Sequence, residues 1–244
     1  MDSFGRLAPY YDELMSVVPY RMWVGYFLLL LSQLDVRPRS ILDVCCGTGT
    51  MCEMLHQEGF EMTGIDLSPH MIEVARQKAA RKGYPIRYET MDACTFELGR
   101  TFGAALSFFD SLNNILDPER FLQALRRVHA HLEPGGAFVF DLNTAYAFEQ
   151  RLFDQRNLRP SARLRYDWVG DYDPQTRVIT VHMTFWKDGE EFREVHRQRA
   201  YTDDEVRSML EEAGFVDVRG YTSYTLDPIR RKSDRVHYAA VKPF

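Results

Sequence analysis

Ile41-Leu42-Asp43-Val44-Cys45-Cys46-Gly47-Thr48-Gly49-Thr50 reads as an apolar strand that ends in a glycine turn and opens a helix. Glycines let the backbone turn sharply and lie close to a ligand, and the helix that follows presents unpaired N–H groups and a positive dipole end. That combination is the geometry of an adenosine-cofactor site; a lone Gly-x-Gly can also be a plain tight turn. A second apolar run, Met62 to Ile65, ends in Asp66, 23 residues after Asp43. A carboxylate near this interval is placed to accept from ribose hydroxyls. A nicotinamide fingerprint would want a third glycine where this chain has Cys52, and would have no use for the acid at Asp43.

Outward from the loop, strand and helix patterns alternate. Strands are expected near 40–45, 61–66, 85–90, 104–109 and 136–141, which predicts an α/β fold with a doubly wound parallel sheet. Ser68-Pro69 and Asp117-Pro118 each put a capping residue before a proline at the first helical position. Gly83 and Gly135 are expected to follow helix ends, and Thr202-Asp203-Asp204-Glu205 is a capping box for a helix ending near Gly214. Val216 to Tyr224 and Val236 to Val241 read as two further strands.

Residues 161–201 break the alternation. Arg163 to Trp168, Arg177 to Phe185 and Glu191 to His196 alternate in polarity and are joined by Asp173-Pro174 and Asp188-Gly189, so a three-stranded antiparallel sheet is expected. An insertion after the fifth strand sits over the strand carboxyl ends, where ligands bind. It is read as a substrate lid or a homodimer surface; a sheet that merely packs is the alternative, since Trp168, Phe185 and Trp186 suit a core.

The chain resembles the class I S-adenosylmethionine-dependent methyltransferases. The resemblance rests on Asp43-Val44-Cys45-Cys46-Gly47-Thr48-Gly49, then Gly64-Ile65-Asp66-Leu67-Ser68 with Met71, Met91-Asp92-Ala93, Leu106 to Asn113, and Leu132-Glu133-Pro134-Gly135-Gly136. These ordered matches cover about the first two thirds of the chain. Cys45 departs from the pattern, standing where the family's first glycine usually is, so a side chain must fit beside the methionine part of the cofactor. The opening, Tyr10 to Met15 and Pro19 to Trp23, looks like that of small bacterial members with an inserted sheet.

The resemblance implies a seven-stranded sheet, with the last two strands antiparallel at one edge, and S-adenosyl-L-methionine as cofactor. By position and resemblance together, Gly47, Thr48 and Gly49 let the backbone approach the cofactor, while Asp43 orders the loop and the cofactor ammonium. Asp66 takes the ribose hydroxyls, Leu67 and Met71 pack on adenine, and Asp92 and Ala93 bind its edge. Cys45 and Phe109 line the methionine end, with Tyr11 and Trp23 closing over it from the leading helix; the plain alternative for that helix is an aromatic core stripe. The division expected is a cap over 1–35, a core over 36–150 and 202–244, and the inserted sheet over 151–201.

Methyl transfer needs positioning more than acid–base chemistry. Candidates to face the acceptor are Asp110, Asn113, His196 and Tyr201, none selected by spacing as a catalytic base. Asp141 and Asn143 resemble the acid and amide of metal-dependent O-methyltransferases, but the rest of that pattern is missing and no metal is expected. The expected reaction is transfer to N or O of a small molecule. A nicotinamide oxidoreductase, a non-catalytic cofactor-binding module and an RNA methyltransferase are the other readings. A net charge of −5 over 244 residues argues against a general nucleic-acid binder, and Arg156, Arg159, Arg163 and Arg165 read as solvated surface. Asp2 in place of a basic start, and an apolar stretch from Val24 to Leu31 too short to span a bilayer, point to a cytoplasmic protein that does not enter a membrane. The four cysteines (Cys45, Cys46, Cys52 and Cys94) are expected to be reduced.

Overall fold

The computed structural model describes residues 4–244, so residues 1–3 of the expected amino-terminal cap lie outside the described residues. In chain order, β1 (Ser40–Val44), β2 (Glu61–Asp66), β3 (Arg87–Thr90), β4 (Phe102–Ser107) and β5 (Leu132–Asn143) come first. The inserted strands follow: β6 (Gln155–Asn157), β7 (Arg165–Asp173), β8 (Val178–Lys187) and β9 (Glu190–Arg199). The chain then closes the main sheet with β10 (Val216–Thr222) and β11 (Arg235–Val241). The helices are α1 (Tyr11–Leu14), α2 (Tyr20–Gln33), α3 (Thr50–Gln57), α4 (Pro69–Lys82), α5 (Pro118–Ala130), α6 (Ala145–Glu149) and α7 (Asp203–Glu212).

The main sheet has the order β10-β11-β5-β4-β1-β2-β3, parallel except where β11 pairs antiparallel with β5 and β10. β1 carries the chain toward β2 on one side and has β4 on the other, so the strand order reverses between β1 and β4. In such a sheet the ligand crevice opens at the carboxyl ends of those two strands.

All five residues of β1 are buried, as a central parallel strand covered on both faces requires. Leu42 and Val44 pack with Phe121 and Leu125 of α5 and Leu210 of α7; Ile41 points the other way, to Phe27 of α2 and Leu55 of α3. In α2, Trp23, Phe27, Leu30 and Leu31 repeat at helical spacing and turn one stripe to this second layer. Among the described residues no single helix is long and apolar enough to cross a membrane.

The local signals place the helices well. Ser68 and Asp117 accept from backbone N–H groups at the starts of α4 and α5, Gly83 closes α4 at φ 68°, and the Thr202–Glu205 capping box is formed in both directions. Gly135 differs from expectation. It lies inside β5 at φ 75° rather than after a helix, and a Cβ there would meet the Phe244 ring at 2.6 Å.

The insertion is a four-stranded sheet, β6-β7-β8-β9, one strand more than expected. Asp188 and Gly189 both take positive φ, 51° and 86°, in the two-residue turn that fixes Lys187 opposite Glu190. The register puts Trp168, Met183 and Glu194 in one row across the sheet and Gly170, Val181 and His196 in the next. With the neighbouring row of the same face, Tyr166, Phe185 and Phe192, they supply Val181, Met183, Phe185 and Phe192 to a third apolar cluster that includes Leu7 of the amino-terminal segment and Phe148 of α6.

Candidate functional site

The turn after β1 is built on left-handed backbone. Cys45, Gly47 and Gly49 take φ 64°, 54° and 78°, and Gly49 caps α3. Gly49 is held by packing as well, since a Cβ on it would fall 2.3 Å from the Tyr88 hydroxyl oxygen. A Cβ on Gly47 would meet nothing within 4 Å, so the space before that residue is open. Cys45 occupies the family's first glycine position in a conformation that favours glycine, at a strain of about 1–2 kcal/mol. Its side chain lines the cavity described below.

Two carboxylates frame this turn. Asp66, at the end of β2, accepts the Ser68 N–H through Oδ1 and the Gly47 N–H through Oδ2, both at 2.8 Å. Asp43 is 3% exposed, and its Oδ2 accepts from the Cys52 thiol at 3.3 Å. Burial pushes the Asp43 carboxyl up to about 7 against the opposing pull of that thiol, and burial raises Asp66 as well. Among the described residues neither acid has a basic side chain within ion-pairing distance. Open space at Gly47 and two desolvated acids without a cation fit a ligand that carries ribose hydroxyls and an ammonium group.

A cavity of about 940 Å³ opens beside the turn. Asp66, Leu67, Met71, Asp92 and Ala93 line one end. Leu67 is 68% exposed, which leaves its face free to cover a ring. Asp92 lies there too, but its Oδ1 already accepts from Cys94 N–H at 2.8 Å and its Oδ2 from Arg120 at 2.6 Å. Burial raises the Asp92 carboxyl, and the Cys94 N–H with the Arg120 guanidinium outweigh it and leave it below its ordinary value. An adenine amine at Asp92 would share an oxygen already bonded.

At the ends of β1 and β4, Trp23 and Phe109 lie with ring centroids 3.7 Å apart, and Tyr20 joins them at 4.9 Å from Phe109. Phe109 and Asp110 are consecutive non-glycine residues with positive φ, 68° and 48°. Such strain is concentrated at ligand sites. Tyr11 and Thr48 complete this end, with the Tyr11 phenol pushed well above its ordinary value by burial and by the nearby Tyr20, Asp110 and Asp66.

Of the four residues expected to face an acceptor, Asp110 and His196 line the cavity. Asp110 accepts from Arg235 at 2.7 Å and from Gln198 at 2.6 Å. His196 bonds Glu194 through Nε2 at 2.7 Å. Asn113 and Tyr201 lie outside the lining, as struts. The Asn113 amide donates to the Asn143 and Arg199 carbonyls and accepts the Asn143 N–H, while the Tyr201 hydroxyl donates to the Ile115 carbonyl over a ring stacked on Phe121. Buried amides and phenols of this kind are held by the need to satisfy their own polar groups.

Three further residues belong to the site and carried no signal in the sequence. Arg120 holds Asp92, Glu194 holds His196, and Arg235 bridges Asp110 and the fully buried Asp141. Asp141 is thus paired with a guanidinium, and Asn143 serves Asn113 through its backbone. Among the described residues no group of three or more His, Cys, Asp or Glu side chains is placed to hold a metal ion.

A family model described as a methyltransferase domain matches residues 41–136, which span the strands and loops that build this crevice. The Bacillus subtilis (strain 168) protein named "Putative methyltransferase YqeM" is 30% identical over 96% of this chain and 95% of its own length. The fold is similar to that of an S-adenosylmethionine-dependent methyltransferase from Clostridium acetobutylicum, with a TM-score of 0.85 at 24% identity over 99% of both chains. It is also similar to CalS10 from Micromonospora echinaspora, an amino pentose methyltransferase solved with its cofactor bound, with a TM-score of 0.74 at 20% identity over 95% of both chains. An identity of 30% over nearly the whole of both chains with the Bacillus protein, and a crevice whose acids and open glycine suit the cofactor, lead to one assignment: the chain belongs to the S-adenosylmethionine-dependent methyltransferases.

Proposed function

We propose that the protein transfers a methyl group from S-adenosylmethionine to nitrogen or oxygen of a small molecule held between the strand ends and the inserted sheet. The observation that carries this reading is a continuous cavity, with a smaller pocket lined by Asp43 and Thr48 beside it. The cavity runs from Asp66, Leu67 and Met71 on the nucleotide side to Trp168, Met183 and His196 of the inserted sheet. Its volume of about 940 Å³ lies at the top of the range for drug-sized ligands, roughly 300–1,000 Å³, which leaves room for an acceptor beside the cofactor. The fold likeness to an amino pentose methyltransferase supports a small acceptor.

S-adenosylmethionine supplies a methyl group on an activated sulfonium leaving group. What the chain contributes is grip, alignment and dryness. In this reading Asp66 holds the ribose, Asp43 answers the ammonium, Leu67 and Met71 flank the adenine, and Trp23 and Phe109, their rings tilted by 35° to one another, offer π faces to the sulfonium end. The amino-terminal segment closes the top. Glu194 of the inserted sheet accepts the Phe4 and Leu7 N–H groups at 3.1 Å each, and Lys187 pairs with Glu13 at 3.3 Å. We read the inserted sheet as a lid, because its inner face serves the cavity. The four free thiols suit a reducing compartment such as the cytoplasm.

The test is transfer of a labelled methyl group from S-adenosylmethionine to separated small-molecule, RNA and protein fractions of a bacterial extract. Label in the small-molecule fraction is the expected result. Label confined to RNA would overturn the proposal, and cofactor binding without transfer to any fraction would favour a regulatory cofactor-binding module. Arg156, part of the basic stretch an RNA would meet, is paired with Asp167 at 3.1 Å.

A further inference from the structure

The inner face of the lid is divided by strand. β7 and β8 turn Tyr166, Trp168, Val181 and Met183 to the cavity, all apolar in body. β9, whose inward positions pair with those of β8 in register, turns His196 and Gln198 instead. The two polar groups are already oriented. Gln198 donates through Nε2 to Asp110, and Glu194 accepts the His196 Nε2–H together with two backbone N–H groups. In a neutral imidazole that assignment leaves the lone pair on Nδ1, an acceptor for an O–H.

A polyhydroxylated acceptor would bring many donors and acceptors to a lid wall on which only His196, Gln198 and, at the β6 edge, Gln155 offer side-chain amide or imidazole partners, and each buried hydroxyl left unpaired works against binding. An apolar body gains by leaving water against the same wall. We propose that the acceptor is a hydroxyaryl compound, its ring system seated on Trp168, Met183 and Val181 and its hydroxyl turned to the polar column of β9 beside Asp110. The inference deepens the small-molecule reading above and rests on it.

The test uses protein saturated with S-adenosylhomocysteine, titrated calorimetrically with 2-naphthol and, separately, with D-glucosamine. The expected result is that 2-naphthol binds, that glucosamine binds more weakly or not at all, and that Trp168→Ala weakens 2-naphthol at least about tenfold. Because Trp168→Ala also thins the lid, Met183→Gln, which keeps volume and adds an amide, is measured beside it and is expected to weaken 2-naphthol by a similar factor. S-adenosylhomocysteine affinity stays constant in both variants. The inference is overturned if glucosamine binds more tightly, if neither probe binds, or if 2-naphthol binds equally well to wild type and both variants. Label transfer into the small-molecule fraction would uphold the broader reading in each of these cases, and label confined to RNA would remove it whichever probe binds.

Discussion

The Thr48 hydroxyl in the glycine turn donates to Asp12 at 2.5 Å, and Lys78 of α4 pairs with the same carboxylate at 2.6 Å. The amino-terminal segment is therefore pinned to the loop that would hold the cofactor. Asp12 is partly exposed, with 43% of its side chain accessible, so solvent screening reduces the value of the contact to about 1 kcal/mol. Asp12→Ala is expected to raise the dissociation rate of S-adenosylhomocysteine roughly fivefold and to lower the melting temperature by no more than about 2–4 °C. Stopped-flow release measures it, and an unaltered rate would show that the segment does not govern escape.

Cys45 gives a test of the turn itself. Replacing it with glycine removes about 1–2 kcal/mol of left-handed strain and adds roughly 0.5–1 kcal/mol of unfolded-state entropy, a near balance that leaves stability unchanged or slightly higher. A β-branched residue fits positive φ far worse. Cys45→Val should lower the melting temperature by at least about 2–4 °C, the shift expected for 1 kcal/mol in a chain of this size. Equal melting of Cys45→Val and wild type would mean that the turn adopts another backbone.

Placed against the cofactor ammonium, Asp43 would link cofactor affinity to pH. Its carboxyl is raised from 3.8 to about 7 by burial, so the folded protein holds this proton more tightly than the unfolded chain does. Its contribution to stability is full below 3.8 and is lost as pH rises through about 7, a loss of roughly 4 kcal/mol at most. An ammonium group placed there would favour the ionised acid and expel the proton. Affinity for S-adenosylhomocysteine is expected to rise with pH across neutrality, and to be weaker and flatter in Asp43→Asn. The same variant should melt higher than wild type at alkaline pH without ligand. Calorimetry in buffers of different ionisation heat reads the proton release directly.

Much of the crevice is legible in the sequence because its determinants are local. Asp66 ends an apolar run, Asp43 stands one residue before the end of another, Asp92 follows the third strand by two residues, and glycine or proline punctuation sets the turns between them. What the sequence hides depends on contacts between distant segments. Arg235 lies just past the basic run Arg230-Arg231-Lys232, where no local pattern gives it a partner, yet the fold brings it to Asp141, 94 residues away. Glu194 alternates along a polar strand, and only the register with the amino-terminal segment gives it its donors. β6 is three polar residues long, too short for a period to show. Asn113 and Tyr201 carry polar groups suited to a ligand, and the same groups are what a buried loop uses to satisfy its own backbone.

Arg235 tests whether the polar end of the cavity is held by charge. It bridges Asp110 and Asp141, lies 5.7 Å from the Trp23 ring, and is 20% exposed against 1% for the Asp141 side chain. Burial raises both carboxyls even against the opposing pull of the guanidinium. Arg235→Met leaves two buried carboxylates facing one another, and breaking such a pair costs about 3–5 kcal/mol. The missing cation raises both acids further in the folded state, so the deficit is smallest at acid pH, where they are protonated, and grows as pH rises. Thermal denaturation should show a wider gap between variant and wild type above neutrality than below it. Adding Asp141→Asn to Arg235→Met removes one of the stranded charges and should recover part of the loss at alkaline pH. A gap independent of pH would point to lost packing against Trp23 as the cause.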